Sequence, residues 1–176
     1  EREEKMKVLI TGVNGFVGRN LAADLARYPE RYEVLGYDID NTPEQLAAFC
    51  RECDFVVHLA GINRPKDESE FQTGNAGLTE QLCELLAENP VPVAMTSSIQ
   101  AALDNPYGVS KHAAEQALFG YAERHGVPVY IWRMPNLFRK WCRPNYNSAV
   151  ATFCSNLTRG LPITVNDPDV MPVSYT

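Results

Sequence analysis

The sequence lacks the features of a membrane protein and of a nucleic-acid-binding protein. No apolar run approaches the roughly 20 residues that cross a bilayer. The first residues, EREEKM, are charged, which is not typical of a signal peptide. Basic residues are few, since 16 Lys and Arg stand against 22 Asp and Glu, and the net charge is −6. Because nucleic acids and anionic membranes bind basic surfaces, we expect neither as a partner.

Histidine and cysteine are too few, or wrongly spaced, for a metal site or a disulfide framework. The chain has three histidines and five cysteines, an odd number without regular spacing. We therefore expect reduced thiols and a cytoplasmic protein. Cys50 and Cys53 form one CxxC motif, but no second CxxC or His pair completes a zinc site, so we expect no metal. The alternative for this motif is a helix end that abuts the next strand.

Strand and helix patterns alternate along most of the chain. Thr42, Pro43 and Gln45 mark one helix start with a capping box. The alternation predicts an α/β fold, a Rossmann-like doubly wound parallel sheet with helices on both faces. The segment 60–74 is polar, with Pro and Gly, and is predicted as a loop. Predicted strands are 7–10, 32–37, 54–59, 91–96 and 127–133, with a short one at 163–165, and predicted helices are 16–27, 43–51, 75–88, 107–125 and 148–159.

Glycines after the first predicted strand form a candidate phosphate-binding turn. The segment Thr11–Gly18 reads TGVNGFVG between a strand and a helix. Glycines let the backbone approach a pyrophosphate, and the N-terminal N–H groups and dipole of the helix attract its charge. Asp38 follows Gly18 by 20 residues and ends the second predicted strand, where a carboxylate binds a ribose 2′-hydroxyl. The pattern favours a dinucleotide site over a tight turn with chance glycines.

Tyr107 and Lys111 form a candidate acid–base pair. At i and i+4 they share one face of a predicted helix, where the ammonium would lower the pKa of the phenol. The phenol could then exchange a proton with a substrate oxygen. Ser98 ends the preceding strand, where sites of α/β proteins form, and its hydroxyl could bind the same oxygen. The alternative is a surface Tyr and a solvated Lys.

Together these segments resemble the extended branch of the short-chain dehydrogenase/reductase superfamily, the NAD-dependent epimerase/dehydratase family. The resemblance covers almost the whole chain and is specific as a set of motifs. It rests on TGxxGFxG at Thr11–Gly18, DxVxHxAG at Asp54–Gly61, an Asn at Asn75, the Ser98, Tyr107 and Lys111 set, and RxxN at Arg133–Asn136.

This resemblance implies a role for each matched residue. Tyr107 would be the general acid, Lys111 would lower its pKa and hold the nicotinamide ribose, and Ser98 would orient the substrate carbonyl. An alternative for Asn145–Asn147 is a polar turn that caps the helix at Ser148, and both roles can coexist. The implied cofactor residues are Gly12, Gly15, Phe16, Val17, Gly18, Asp38, Ile39, Leu59, Ala60, Gly61, Asn75, Lys111 and Pro135, and the implied substrate residues are Ser98, Asn136, Arg143, Asn145, Asn147 and Val150.

Longer phrases are similar to a capsular-polysaccharide subgroup of this family. They are HLAGINRP, SSIQAALDNPYG and the segment from PNLF to ATFC. This similarity implies NAD(P)H-dependent reduction of the C4 ketone of a UDP-2-acetamido-2,6-dideoxy-4-hexulose in capsule or O-antigen sugar synthesis, with a UDP-sugar as partner. The alternatives are a nucleotide-sugar 4-epimerase and a truncated dinucleotide-binding module without turnover.

Three features bear on how closely the sequence follows its family. Tyr107 follows Ser98 by nine residues, which is short for the extended branch but typical of the subgroup. Arg139 stands where the family usually has Gly. Asp38 favours NAD(H), because a carboxylate repels a 2′-phosphate, whereas the subgroup implies NADPH, and both cofactors stay open.

The resemblance also implies a domain organisation and an oligomer. We expect an N-terminal extension at 1–6, an NAD(P)-binding Rossmann domain at 7–140 and the start of a substrate-binding region at 141–176. The C-terminal substrate domain is expected to be largely absent, because the family continues well beyond this length. Extended members are often dimers through the helix that bears Tyr107, where Ala113, Ala114 and Ala117 would suit close packing.

Overall fold

The structure, a computed structural model, describes residues 4–63, 65, 67, 69–146, 148–165 and 173–175. The chain divides into two compact units, Glu1–Arg133 and Met134–Thr176. Each unit is described by itself. Among the described residues, no helix is both long and apolar enough to cross a membrane.

The first unit is built on a five-stranded parallel sheet, which confirms the predicted fold class. The strands are β1 (Met6–Thr11), β2 (Tyr32–Tyr37), β3 (Phe55–His58), β4 (Val93–Ser98) and β5 (Val129–Met134), in the order β2-β1-β3-β4-β5. Thr11 pairs with Tyr37 on one side and with His58 on the other. The carboxyl ends of β1 and β3 therefore meet where the strand order reverses, which is where ligands bind in open α/β sheets.

Helices connect the strands and follow the capping signals of the sequence. They are α1 (Phe16–Leu25), α2 (Pro43–Glu52), α3 (Ser69–Phe71), a π-helix (Gln72–Gly77), α4 (Leu78–Leu86), a 3₁₀ turn (Ile99–Ala102) and α5 (Pro106–His125). The Thr42–Gln45 capping box forms at the start of α2. Asn105 caps α5 by accepting from the Gly108 N–H at 2.7 Å, and Gly126 ends α5 with φ +68°.

The core lies between the sheet and the helices α2, α4 and α5. Right-handed crossovers place these three helices on one face, because their connections all run in one direction across the sheet. Leu9, Val56 and Val93 from the strands are fully buried against them. Ala114, expected at a dimer surface, is 1% exposed and belongs to this core, so that expectation was wrong for Ala114. A buried methyl group on the inner side of α5 cannot contact another subunit.

The second unit contains β6 (Asn136–Phe138), α6 (Ala149–Thr158) and β7 (Val173–Tyr175). β6 and β7 form a two-stranded parallel sheet, with Asn136 opposite Val173. Ser148 caps α6 by accepting from the Ala151 N–H at 3.3 Å. The short strand predicted at 163–165 is absent, since 161–165 carry no regular structure in the described chain.

The predicted loop at 60–74 was wrong in its second half. Residues 69–77 form α3 and the π-helix, which lead directly into α4. Asn75 is 2% exposed and binds the backbone of Ile62 and the side chain of Ser110. These contacts come from distant parts of the chain, so the local composition of Gly and polar residues could not predict the helix.

Candidate active site

The glycine turn after β1 lies against the end of β3. Gly12 has φ +72°, and a Cβ at this position would lie 2.8 Å from the Ala60 nitrogen. A Cβ on Gly18 would overlap the Gly12 carbonyl oxygen and would lie 2.7 Å from the Val13 Cα. Helix α1 begins at Phe16 with Gly15 as its N-cap, and no described side chain caps it. The first N–H groups of α1, at Phe16, Val17 and Gly18, are thus available to an anion.

Asp38 ties the end of β2 to this turn. Its Oδ2 accepts from the Asn14 N–H at 2.7 Å, and its Oδ1 accepts from the Ile39 N–H at 2.8 Å. Each carboxylate oxygen has further lone pairs, so Asp38 can still accept hydroxyl groups of a ribose. Ile39 is 93% exposed beside it, which leaves an apolar side chain free to cover an adenine ring.

Segment 59–61 continues the site from the end of β3. The Leu59 N–H donates to the Thr11 carbonyl at 3.1 Å, which keeps the segment beside β1. A Cβ on Gly61 would lie 2.7 Å from Asn75 Oδ1 and 3.8 Å from Lys111 Nζ. Gly61 thus lets the segment approach Asn75 and Lys111, and the structure brings these three predicted cofactor residues together.

Ser98 and Tyr107 lie near each other across a short connection, and the Ser98 side chain affects the pKa of the Tyr107 phenol. The Gln100 N–H donates to Ser98 Oγ at 3.1 Å within the 3₁₀ turn. Gly108 has no room for a side chain, because a Cβ would overlap the Gln100 carbonyl and lie 2.6 Å from the Leu103 carbonyl. This close packing explains how the eight-residue connection brings Tyr107 back towards Ser98.

The environment of Tyr107 keeps its phenol protonated. Burial raises the pKa of Tyr107 above its ordinary value, and the nearby Ser98 side chain opposes this only in part. The direction is opposite to the lowering that the Tyr–Lys spacing predicts. The Phe71 ring lies 5.6 Å from the Tyr107 ring and contributes to the burial. A phenol that holds its proton is suited to donate it.

Lys111 is buried and bound to the backbone of β4. It is 7% exposed, and its Nζ donates to the Thr96 carbonyl at 3.0 Å. Burial lowers the pKa of Lys111 to about 8, while the nearby Glu115 carboxylate acts in the opposite direction. The folded protein therefore carries a charge that is costly to bury at neutral pH.

We expect Lys111→Met to stabilise the fold by about 2 kcal/mol at pH 7 while it abolishes activity. Between about pH 8 and 10.5 the unfolded chain holds a proton that the folded chain has lost, so the stability of the wild type rises with pH there. The extra stability of Lys111→Met over wild type should therefore decrease across this pH range. Urea unfolding at pH 7, 9 and 10.5 measures it, with Lys7→Met as control, since Lys7 is half-buried and ion-paired with Glu52 at the surface. Equal stability of Lys111→Met and wild type at pH 7 would contradict a costly buried charge.

Glu115 is a site residue that the sequence reasoning missed. It is 1% exposed and lies one turn after Lys111 on α5. Its carboxylate accepts from Ser97 Oγ at 2.5 Å and from Arg133 Nε at 3.0 Å and Nη2 at 2.6 Å. Burial acts to raise the pKa of Glu115, but the bonds from Arg133 and Ser97 outweigh it and the net pKa is lowered. The signal was the spacing of Tyr107, Lys111 and Glu115, four residues apart on one helix face.

The remaining predicted residues lie in the second unit. Asn136 is in β6 and exposed, Arg143 is exposed, and Val150 is in the first turn of α6. The Asn145 N–H donates to Thr152 Oγ1 at 2.8 Å, and Asn145 has φ +56°. Pro135 precedes β6. Asn147 lies outside the described residues.

The cysteines of the CxxC motif are both buried. Burial raises the pKa of Cys50 to about 11 and that of Cys53 to about 12, so both thiols stay protonated. Cys53 lies at the end of α2 and donates to the Cys50 carbonyl. Within the described part of the chain, no group of three or more His, Cys, Asp or Glu could hold a metal ion.

A parallel sheet with an open glycine turn at its switch point, followed by a Ser–Tyr–Lys set, is typical of α/β proteins that bind a dinucleotide. The chain belongs to the NAD dependent epimerase/dehydratase family, because the sequence model of that family matches residues 8–169. This confirms the predicted family.

Individual relatives share most of this chain. A UDP-2-acetamido-2,6-beta-L-arabino-hexul-4-ose reductase of Pseudomonas aeruginosa is 53% identical over 166 residues, which are 92% of this chain and 44% of that protein. The crystal structure of the capsular polysaccharide assembling protein CapF from Staphylococcus aureus is 44% identical with a TM-score of 0.84, and the match covers 97% of this chain and 47% of that one. The chain thus spans less than half the length of these two relatives.

More distant structures share the fold. The UDP-glucuronic acid 4-epimerase from Bacillus cereus in complex with NAD is 22% identical with a TM-score of 0.78 over 91% of this chain and 66% of that one. At this identity the likeness concerns the fold alone.

Proposed function

We propose that this chain carries the site at which an NAD(P)H-dependent enzyme reduces the C4 ketone of a UDP-2-acetamido-2,6-dideoxy-4-hexulose, in capsule or O-antigen sugar synthesis. The observation that carries the proposal is the placement of Ser98, at the carboxyl end of β4, beside Tyr107, a phenol at the start of α5 whose burial favours its protonated form. The relative from P. aeruginosa, named as a hexul-4-ose reductase, supports the reaction, and CapF supports the pathway class.

The residues around the glycine turn fit a dinucleotide. Gly12 and Gly18 have no room for a Cβ, so the turn packs closely on Ala60 and on itself, and the first N–H groups of α1 face no described side-chain cap. A pyrophosphate would be held by these N–H groups, an adenosine by Asp38 and Ile39, and the nicotinamide ribose by Lys111. When bound, the reduced cofactor supplies the hydride.

Tyr107 would deliver the proton that completes the reduction. Ser98 Oγ and Tyr107 Oη would both bind the C4 oxygen of the ketone, which fixes the carbonyl. As the carbon gains a hydride, the oxygen takes the proton from Tyr107 Oη, and the products are a hydroxyl group and a phenolate. The Lys111 ammonium stabilises this phenolate until solvent returns the proton. Glu115 in turn favours the charged form of Lys111.

The sugar nucleotide would be bound by residues of the second unit. We assign this role to Asn136, Arg143, Asn145, Asn147 and Val150, on the strength of the family motif. The exposed guanidinium of Arg143 suits a diphosphate, since a planar cation can bind two oxygens at once. Asn145, at φ +56°, has the backbone strain that is common at binding sites.

A coupled assay separates this proposal from its alternatives. The protein is mixed with NADH or NADPH and the UDP-4-keto sugar, and the absorbance of the reduced cofactor is followed. A reductase consumes one cofactor for each sugar reduced. An epimerase interconverts UDP-hexoses at C4 without net consumption, and a non-catalytic module binds the cofactor without consuming it. Either of the last two results would overturn the proposal.

We further propose a preference for NAD(H), because the Asp38 carboxylate would face the 2′-phosphate of NADP(H). We expect wild type to bind NADH about tenfold more tightly than NADPH, and Asp38→Asn to remove most of this difference by strengthening NADPH binding. Fluorescence titration with both cofactors measures it. Asp40→Asn, an exposed carboxylate two residues away, is the matched control and should change neither affinity. Tighter binding of NADPH by wild type would contradict the preference.

We also propose that the protein works in the cytoplasm and as a homodimer. The five cysteines are free thiols, which suits a reducing compartment. Ala113 and Ala117 line a groove between α4 and α5, where a second copy could pack closely. This surface remains after Ala114 is assigned to the core.

A further inference from the structure

His58 lies at the centre of a buried row of hydrogen-bonded side chains that take no part in the proposed reaction. It is the last residue of β3, is 2% exposed and pairs in register with Thr11, the last residue of β1. Its Nδ1 lies 2.6 Å from Thr11 Oγ1, and its Nε2 lies 2.9 Å from Thr79 Oγ1 on α4. Thr11 and Thr79 are 1% and 0% exposed, so water does not satisfy these groups.

Two backbone groups, the Asn75 carbonyl and the Ala60 N–H, determine the direction of every hydrogen bond in this row of side chains. The single proton of the Thr79 hydroxyl is donated to the Asn75 carbonyl at 2.7 Å, so Thr79 can only accept from His58, and Nε2 must carry a proton. Burial and the Lys111 charge lower the pKa of His58 to about 3, so the ring is neutral and Nδ1 is an acceptor. Thr11 therefore donates to Nδ1 and accepts from the Ala60 N–H at 3.3 Å.

The two ends of this row of side chains fix the same backbone segment, residues 60–62. At one end Thr11 holds the N–H of Ala60, which lies against the Gly12 turn. At the other end the carbonyl of Asn75 is held by Thr79, while the Asn75 side chain accepts from the Ile62 N–H at 2.9 Å and donates to the Ile62 carbonyl at 3.2 Å. Residues 60–62 are thus fixed from both sides, and His58 connects the two.

We propose that His58 is a positioning residue: as the neutral Nε2–H tautomer it links β1 to the π-helix and so holds residues 60–62 in the arrangement that binds the dinucleotide. This role rests on the proposed function, since it needs a dinucleotide beside the Gly12 turn. His58 itself touches neither cofactor nor substrate in this role. Its effect passes through Thr11 and Thr79.

Substitution at Thr79 tests the link without touching the glycine turn. Thr79→Val keeps the volume and removes the hydroxyl, so His58 Nε2–H loses its acceptor, whereas Thr79→Ser keeps the hydroxyl. We expect the Kd for NADH to rise about tenfold in Thr79→Val, about the effect of one lost buried hydrogen bond, and to return to near the wild-type value in Thr79→Ser.

Tyr121→Phe is the matched control. Tyr121 is also fully buried, and its hydroxyl makes two hydrogen bonds to Val91, both at 2.9 Å, just before the amino end of β4. It should lower the melting temperature without changing the Kd. A Thr79→Val protein that is equally destabilised but binds NADH as wild type does would overturn the proposal.

Nitrogen-15 NMR of the histidine rings provides a readout that is independent of binding. We expect His58 to show a protonated Nε2 and an unprotonated Nδ1 throughout about pH 5 to 8, the range in which ordinary histidines titrate. An Nδ1–H tautomer, or titration near the ordinary pKa, would overturn the proposal. If wild type binds neither NADH nor NADPH, the proposed function fails. If wild type binds and the Thr79 variants match it, only the role of His58 fails.

Discussion

Tyr107→Phe should reduce the rate of ketone reduction about a thousandfold and leave the Kd for the reduced cofactor unchanged. The variant keeps the ring, and with it the contact to Phe71, but removes the hydroxyl group that passes a proton to the C4 oxygen in the proposed reaction. Ser98 cannot replace it, because a serine hydroxyl is a far weaker acid than a phenol. The loss should therefore appear in kcat, with a small change in KM.

Tyr121→Phe again serves as the control, since it removes a phenol from the same helix but far from the site. Its kcat should remain within about twofold of wild type, because its hydroxyl makes only structural bonds to Val91. Single-turnover absorbance measurements separate the chemical step from cofactor binding. If Tyr107→Phe retained a tenth or more of the wild-type rate, Tyr107 would not be the proton donor.

Arg133→Met is expected to destabilise the fold by about 3 kcal/mol at pH 7. Among the described residues, Glu115 would keep Ser97 as its hydrogen-bond partner, and its remaining basic neighbours would be Lys111 and His112. Glu115 is buried although Arg133 is 43% exposed, so removing Arg133 leaves a carboxylate that has lost its solvation without its main partner. Urea unfolding at pH 7 gives the magnitude.

The pH dependence of this loss has a definite sign. In wild type the pKa of Glu115 is lowered, so its contribution to stability is present at neutral pH and is lost as pH falls through the folded-state value. In Arg133→Met, burial should raise the pKa of Glu115, so the carboxylate takes up a proton more readily in the folded state. The free energy of unfolding of the variant should therefore fall less than that of wild type as the pH is lowered. The difference in the free energy of unfolding between wild type and Arg133→Met should become smaller as the pH falls towards about 5.

Arg27→Met is the control for this second substitution. Arg27 and Asp24 form an exposed pair at 3.9 Å, with side chains 70% and 50% exposed, and such pairs contribute little. It should change the free energy of unfolding by less than about 0.5 kcal/mol. An equal effect of Arg133→Met and Arg27→Met would show that Glu115 does not depend on its partner.

Much of the fold could be predicted because its signals are local. The five strands of the first unit and the helices α1, α2, α4, α5 and α6 follow apolar periodicity, with starts and ends marked by Thr42, Asn105, Gly126 and Ser148. The region 69–77 could not be predicted in this way. Its π-helix depends on Asn75 binding Ile62 and Ser110, and the local composition contains no trace of those contacts.

In the candidate site, too, the residues that local motifs specify could be predicted, and the properties that depend on packing could not. The glycine turn, Asp38, Ser98, Tyr107 and Lys111 could be named from motifs, because a phosphate-binding turn and a proton donor need particular residue types at particular spacings. The charge states could not. The spacing of Tyr107 and Lys111 predicts a lowered phenol pKa, but burial raises it, and burial is a property of the packed protein.

The sequence by itself determined the α/β fold, the family and the identity of the groups that would carry the chemistry, because periodicity and motif spacing are written in neighbouring residues. Only the tertiary structure decided which of these groups are buried, which proton each one holds, and how His58 and Glu115 connect strands and helices that are remote in the chain. The reason is that desolvation and hydrogen-bond direction depend on atoms brought together by packing, and a linear pattern does not contain their distances.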